Sequence, residues 1–177
     1  RPAGTLATAL RYASLGWKVF PCHSVRNGSC TCGNSQCKAA GKHPQTNSGF
    51  KDATVDPIQI KSWWAESPKA NVGVVTGEES GIVALDIEAK AGGKVSLAKL
   101  LKEYGKLPKT IAANTGGGGH HFVFKYPGQA IRNKAGLLKG IDIRGDGGYI
   151  IAAPSMHLSG KPYLWQKGRE PGKCKSA

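Results

Sequence analysis

Two acids separated by one residue open the chemical reading. The stretch "IVALDIEAK" carries Asp86 and Glu88 at the end of an apolar run. In an extended strand, residues i and i+2 project from one face, so both carboxylates point together. Like charges held that close repel unless a cation lies between them. The plain alternative is a pair of solvated acids at a strand end. Against it, the chain has 11 acids and 25 lysines and arginines, so two acids at the mouth of an apolar strand run against the prevailing charge. "KGIDIRGDGGYIIAAPS" supplies a third candidate. Asp142 alternates with Ile141 and Ile143 and faces away from them, whereas Asp146 sits in a turn composition that accounts for it without a metal. Asp86, Glu88 and Asp142 are hard oxygen donors suited to Mg²⁺ or Mn²⁺. A pair of such ions about 3.5–4 Å apart clamps the attacking and leaving oxygens of phosphoryl transfer. Water and substrate phosphates complete the coordination.

"NTGGGGHHFVFKY" sets four glycines before two histidines. Glycine loses more freedom on folding than any other residue, so the run needs a reason. Backbone N–H groups at Gly118 and Gly119 can approach an anion closely. No Lys-Ser/Thr pair ends the run and no helix follows, which excludes a Walker loop and a dinucleotide fingerprint. A flexible hairpin is the plain alternative. Strand alternation in "HHFVF" puts His120, Phe122 and Phe124 on one face and His121 and Val123 on the other. With the Phe face as the expected core, His121 points outward beside the glycines, where it can bond a triphosphate oxygen.

Cys30, Cys32, Cys37 and His43 lie in "CTCGNSQCKAAGKHP". Three thiolates and an imidazole suit tetrahedral structural Zn²⁺, although C-x-C-x4-C-x5-H is not a standard finger spacing. Free thiols in a loop are the alternative, and Cys22 and His23 compete as ligands. A closed site would staple a segment with little core and present Lys38 and Lys42 to a template or to phosphate. Five cysteines, three of them clustered, argue against a secreted disulfide framework and for a reducing compartment.

The elements that must position these groups read as α+β. Residues 4–15 place Leu6, Leu10 and Ala13 on one helical face, and "GWKVFP" reads as a strand. Residues 22–50 form a polar, Cys-rich insert. Asp56 caps and Pro57 opens a helix in "VDPIQIKSWW". "NVGVVTG" and "GIVALDIEAK" are strand-like with a turn between them, and "VSLAKLLKEYG" is a helix ended by Gly105. "KTIAAN" pairs with "HHFVFKY", "IDIRGDGGYIIAAPS" gives two strands across a turn, and "PYLW" gives another. Residues 167–177 have the composition of a linker or frayed tail.

At 177 residues, with 40% hydrophobic residues, one domain spanning 1–177 with a real core is expected. No run approaches the ~20 apolar residues of a membrane span. The start has no signal-cleavage pattern and no initiator Met, so an excised domain or processed product acting in a cytoplasm is expected. A net charge of +14, spread along the chain, points to a basic surface for nucleic acid or nucleotide.

"VALDIE", "TGGGGHHFVF" and "GIDIRGDGGYIIAAPS", in this order and spacing, resemble the primase–polymerase (Prim-Pol) domain of the archaeo-eukaryotic primase superfamily. "ALRYASLGWKVFP", "GKHP", "WWAESPKANVGVVTG", "LPKT" and "APSMHLSGKPYLW" extend the resemblance over about residues 5–166. It implies a primase-like catalytic core with a mixed or antiparallel sheet flanked by helices. It also implies a phage- or plasmid-type replication protein, often fused to or associated with a helicase. The implied activity is DNA primase or polymerase, adding nucleoside triphosphates to a primer 3′-hydroxyl on a single-stranded DNA template. Carried over, the family's acid-x-acid motif falls on Asp86 and Glu88, its nucleotide-binding histidine on His121 and its last metal carboxylate on Asp142. Where the family often has serine two residues before that histidine, this chain has Gly119, so backbone N–H groups are expected to replace a hydroxyl. Arg144, His157 and Lys161 adjoin the third motif as further triphosphate contacts. Some such domains carry similar cysteine inserts.

Two competitors remain. A zinc-stabilised single-strand binding module would use the basic charge and the four tryptophans but leaves the three acids unexplained. A rolling-circle nuclease needs two histidines on one face, and adjacent residues of a strand point oppositely.

Overall fold

The computed structural model describes residues 4–177, so the first three residues of the expected 1–177 domain lie outside the described ones. Helix α1 (Thr5–Ser14) buries Ala9 and Tyr12 and packs Leu6, Leu10 and Ala13 against the core, as their spacing predicts. Helix α2 (Pro57–Glu66) starts where expected: the Asp56 carboxylate accepts the Ile58 N–H at 2.9 Å, and proline occupies the first turn. Helix α3 (Gly93–Tyr104) ends at Gly105. No helix among the described residues is long and apolar enough to cross a membrane.

The strands are β1 (Val19–Cys22), β2 (Val25–Arg26), β3 (Ser29–Cys30), β4 (Asn71–Val75), β5 (Ile82–Ile87), β6 (Ile111–Asn114), β7 (His120–Lys125), β8 (Lys134–Leu138), β9 (Ile141–Arg144), β10 (Tyr149–Ala152) and β11 (Leu164–Trp165). They form a three-stranded sheet ordered β1-β4-β10, a six-stranded sheet ordered β11-β6-β7-β5-β9-β8, and the small β2-β3 hairpin. The ladders are antiparallel throughout. The class is therefore α+β.

Runs adjacent in sequence part company in space. β4 joins the small sheet and β5 the large one; β9 and β10 divide the same way. The two intervening turns are clipped together. Asp146 accepts the N–H groups of Glu78 and Ile131 at 3.0 and 2.9 Å and the Tyr126 hydroxyl at 3.1 Å. Asp146 is thus a turn acid, and a structural one. One apolar cluster joins α1 and α2 to both sheets through Val19, Val72, Val74, Ile82, Ala84, Ile111, Val123 and Ile150. A second gathers Phe20, Val75, Ile151 and Tyr163.

One expectation is corrected. Residues 167–177 are not a frayed tail. Arg169 donates to Thr110 O at 2.7 Å and its carbonyl accepts the Ala112 N–H, while the Ala177 carbonyl accepts the Lys125 N–H at 2.8 Å. Cys174 packs on the main cluster. The segment extends hydrogen bonding along β6 and β7, which a Gly-, Lys- and Pro-rich composition conceals. β8 is also unforeseen from sequence: it is an exposed edge strand with a register irregularity, so it carries no periodic apolar signal.

Candidate active site

The register of the large sheet builds the site. Ala113 pairs with His121, His121 with Asp86, and Asp86 with Asp142, so four neighbouring strands contribute one row. Paired residues of adjacent strands project to the same face. Two residues back along β5 and two on along β7, Ala84 and Val123 lie in the core, so the row marks where the interior face opens to solvent. Glu88, just beyond β5, completes the group. Asp86, Glu88 and Asp142 each offer a carboxylate oxygen within 4.8 Å of the others. Hard, anionic oxygens at that separation fit Mg²⁺ or Mn²⁺.

Basic groups balance this charge. Arg144 Nη2 stands 2.7 Å from Asp142 Oδ2 and 3.3 Å from Asp86 Oδ2. His121 Nε2 faces Asp86 Oδ1 at 3.4 Å. The Gly136 N–H donates to Asp142 Oδ1 at 2.6 Å. Burial pushes the Asp86 carboxyl up, but His121 and Arg144 outweigh it and hold the group at about 2.

The facing of β7 is the reverse of the expected one. His121 is 5% exposed and Val123 fully buried, while Phe122 and Phe124 are only half-buried on the outer face. The outer face of this sheet is partly covered, so its aromatic residues do not mark the core; Phe122 instead lies under the Arg169 guanidinium at 5.6 Å. His121 still adjoins the acids because the row places it there. Its Nδ1 is buried without a partner among the described residues. His120 turns away and faces Asn114 Oδ1 at 3.1 Å, so the two histidines do not share a ligand.

The glycine run forms the β6–β7 hairpin turn. Gly118 takes φ +85°, where other residues are strained. A side chain on Gly119 would put Cβ 1.8 Å from the Ile87 carbonyl oxygen, so the position that carries serine in the resembling motif has no room here for one. The N–H groups of both are already used: Gly118 donates to Thr115 O at 2.9 Å, and Gly119 to Thr115 Oγ1 at 3.0 Å. They are not the free anion donors expected from sequence. Gly117 and Thr115 of the same turn line the cleft.

The cleft encloses about 330 Å³, and Asp86, Glu88, His121, Arg144 and His157 line it together with Lys42 and Lys90. The Ser159 N–H donates to His157 Nδ1 at 3.1 Å, which leaves the ring proton on Nε2. Burial, then the charges of Lys42 and Lys90, lower the His157 pKa, so the ring is neutral at pH 7. Lys161 contributes differently from expectation. Its carbonyl accepts the His157 N–H at 3.0 Å, and its side chain is outside the cleft lining. Sequence reasoning missed Tyr163, which sits 5.9 Å from both the His121 and His157 rings. It also missed Thr115, although a threonine opening a glycine turn was a usable signal.

The insert brings Cys30, Cys32, Cys37 and His43 together, with ligand atoms within 4.8 Å. His43 Nε2 is 3.4 Å from the sulfurs of both Cys30 and Cys37. Thiolate and imidazole donors at this spacing fit a tetrahedral Zn²⁺. Burial raises the Cys30 thiol, yet N–H donors from Cys32 and Gly41 and the side chains of Cys32 and His43 bring it to about 6. Cys22 packs in the second apolar cluster and is not among the ligand atoms gathered here. His23 stacks on His43 with ring centroids 4.5 Å apart.

The family model described as "Bifunctional DNA primase/polymerase, N-terminal" (Prim-Pol) matches residues 9–176. No curated protein matches the chain.

Proposed function

The chain belongs to the Prim-Pol family, and on that premise we propose that it is a template-dependent nucleotidyltransferase with a primase-like core, joining nucleoside triphosphates to a 3′-hydroxyl on single-stranded DNA. The observation that carries this reading is the in-register row of His121, Asp86 and Asp142 with Glu88 beside it, of which His121, Asp86 and Glu88 line a cleft that also carries basic groups.

Asp86, Glu88 and Asp142 would hold Mg²⁺ or Mn²⁺. Bound there, such ions neutralise charge on the attacked phosphate and on the attacking and leaving oxygens. The chain's own groups do the positioning. His121 offers a ring nitrogen to the triphosphate from a fixed place in the sheet. The Thr115 hydroxyl, the Gly117 N–H and the His157 Nε2–H supply neutral donors along the opposite wall, and Lys42 and Lys90 draw the polyanion in. Arg144, set between two carboxylates, is placed to neutralise phosphate charge. Pre-oriented donors in a cleft stabilise developing charge with little reorganisation. The Cys30, Cys32, Cys37 and His43 site would hold a structural Zn²⁺, apart from the reacting groups.

The test is incorporation of a labelled nucleotide on a single-stranded DNA template with Mg²⁺ or Mn²⁺, with and without primer. Extension products support the proposal. Tight template binding with no incorporation would establish a binding module instead, and strand cleavage a nuclease.

A further inference from the structure

Asn71, the first residue of β4, is 1% exposed, yet it touches none of the groups assigned to the chemistry. Its side-chain amide makes four hydrogen bonds, the full capacity of the group. Nδ2 donates to the carbonyls of Gly41 and Met156, each at 2.8 Å. Oδ1 accepts the Met156 N–H at 2.8 Å and the Ser24 hydroxyl at 3.3 Å. A main-chain N–H can only donate, so the Met156 contact fixes which way the amide points.

These partners belong to two different working parts. Gly41 lies between Cys37 and His43, two residues before the histidine ligand. The short segment that carries His43 is therefore tied to Asn71 through the Gly41 carbonyl. Met156 precedes His157, and Lys42 follows Gly41; both His157 and Lys42 line the cleft. A further tie runs from the Tyr149 hydroxyl to the Lys42 carbonyl at 3.0 Å.

We infer that Asn71 is a positioning residue through which the cysteine–histidine cluster sets the Lys42–His157 wall of the nucleotide cleft. The inference rests on the nucleotide-binding reading above and deepens it. A fully satisfied buried amide holds its partners in one arrangement, whereas a partly satisfied one lets them drift. When the cluster is loaded, Gly41 is held from both sides and the wall is fixed. When it is empty, Gly41 loses its anchor and the loss passes through Asn71 to Met156 and His157.

The experiment titrates a fluorescent nucleoside triphosphate with Mg²⁺ and no template, and follows zinc transfer to a chromogenic chelator on the same samples. The samples are the native chain, Asn71→Ser, His157→Ala and the double variant. Asn71→Ser is expected to weaken zinc retention by at least about tenfold, the loss usual for an outer-shell partner. It should weaken nucleotide binding by a similar factor, and the double variant should lose little more than the single ones, since both act on one wall. Chelation of zinc from the native chain should weaken nucleotide binding as Asn71→Ser does. Nucleotide affinity unchanged by Asn71→Ser or by chelation overturns the inference, as do losses that multiply in the double variant. If Asn71→Ser does not fold, Ser24→Ala, which removes one of the four bonds and leaves the amide in place, is read by the same criteria together with the chelation arm. A native chain that binds no nucleotide would instead defeat the functional proposal, while the zinc arm would still decide whether Asn71 supports the cluster.

Discussion

The carboxylate row and the cysteine insert each gather side chains that can hold a metal, but they are assembled by opposite means. The row is fixed by continuous ladders among β5, β7 and β9, so its spacing follows from the spacing of strands. Arg144 bridges two of its acids and the His121 ring faces one of them, so contacts within the sheet already hold Asp86 and Asp142 in place. The insert draws four ligands from one short stretch whose regular structure is a two-residue strand pairing. Cys22, Cys30 and Ala40 are its few buried apolar residues, so apolar packing contributes little and a metal would hold its ligands together. On the proposed reading, one site is positioned by the fold for the chemistry, and the other would be positioned by an ion to hold the fold together.

Substitutions can break that contrast. The largest effect is expected from Asp86→Ala or Asp142→Ala. Either should cut nucleotide incorporation on the order of a thousandfold, several kcal/mol of charge stabilisation, while thermal unfolding stays near that of the native chain. Loss of activity accompanied by a collapsed melting curve would mean that the row is structural. His121→Ala should weaken nucleotide affinity by roughly tenfold or more, the worth of a charge-assisted contact, whereas His120→Ala, on the outer face, should leave it unchanged. Equal losses in a direct titration would contradict the facing seen in β7.

Stripping zinc should act on stability as well as on nucleotide binding: the melting temperature should fall, by about 2–4 °C for each kcal/mol lost in a chain of this size. Cys32→Ser should do the same, and metal analysis should find close to one zinc per native chain. A variant with full zinc and full stability would leave the cysteines as ordinary thiols. The smallest functional effect is expected from Asp146→Ala. It should destabilise by about 1–3 kcal/mol through orphaned N–H groups, yet keep incorporation near the native rate below its melting temperature.

Local chemistry was legible in the sequence. The Asp56–Pro57 helix start and the alternation that separates His120 from His121 are written in adjacent residues. The choice of Asp142 over Asp146 also agrees with where the chain places them, since one joins the row and the other clips two turns. What required the fold was long-range. Alternation along β7 yields two apolar faces and cannot say which is inner; the larger aromatic face turned out to be the outer one. β4 and β5 read as neighbours but enter different sheets, because the Asp146 clip redirects both turns. The glycine run signalled a close approach, yet only the β5–β7 pairing shows that Gly119 meets Ile87 and that its N–H is committed to Thr115. The pinned segment 167–177 has no apolar period to betray it, because its backbone does the holding.

The most direct measurement is Mn²⁺ binding to the zinc-loaded chain, read by electron paramagnetic resonance. It applies to the native protein and to Asp142→Asn, with zinc content determined on the same samples. The account predicts that the native chain binds Mn²⁺ more tightly when nucleoside triphosphate is present. It also predicts that Asp142→Asn loses this binding while its zinc is unchanged. Undiminished Mn²⁺ binding by Asp142→Asn would contradict the assignment of the row as the site of the catalytic ions.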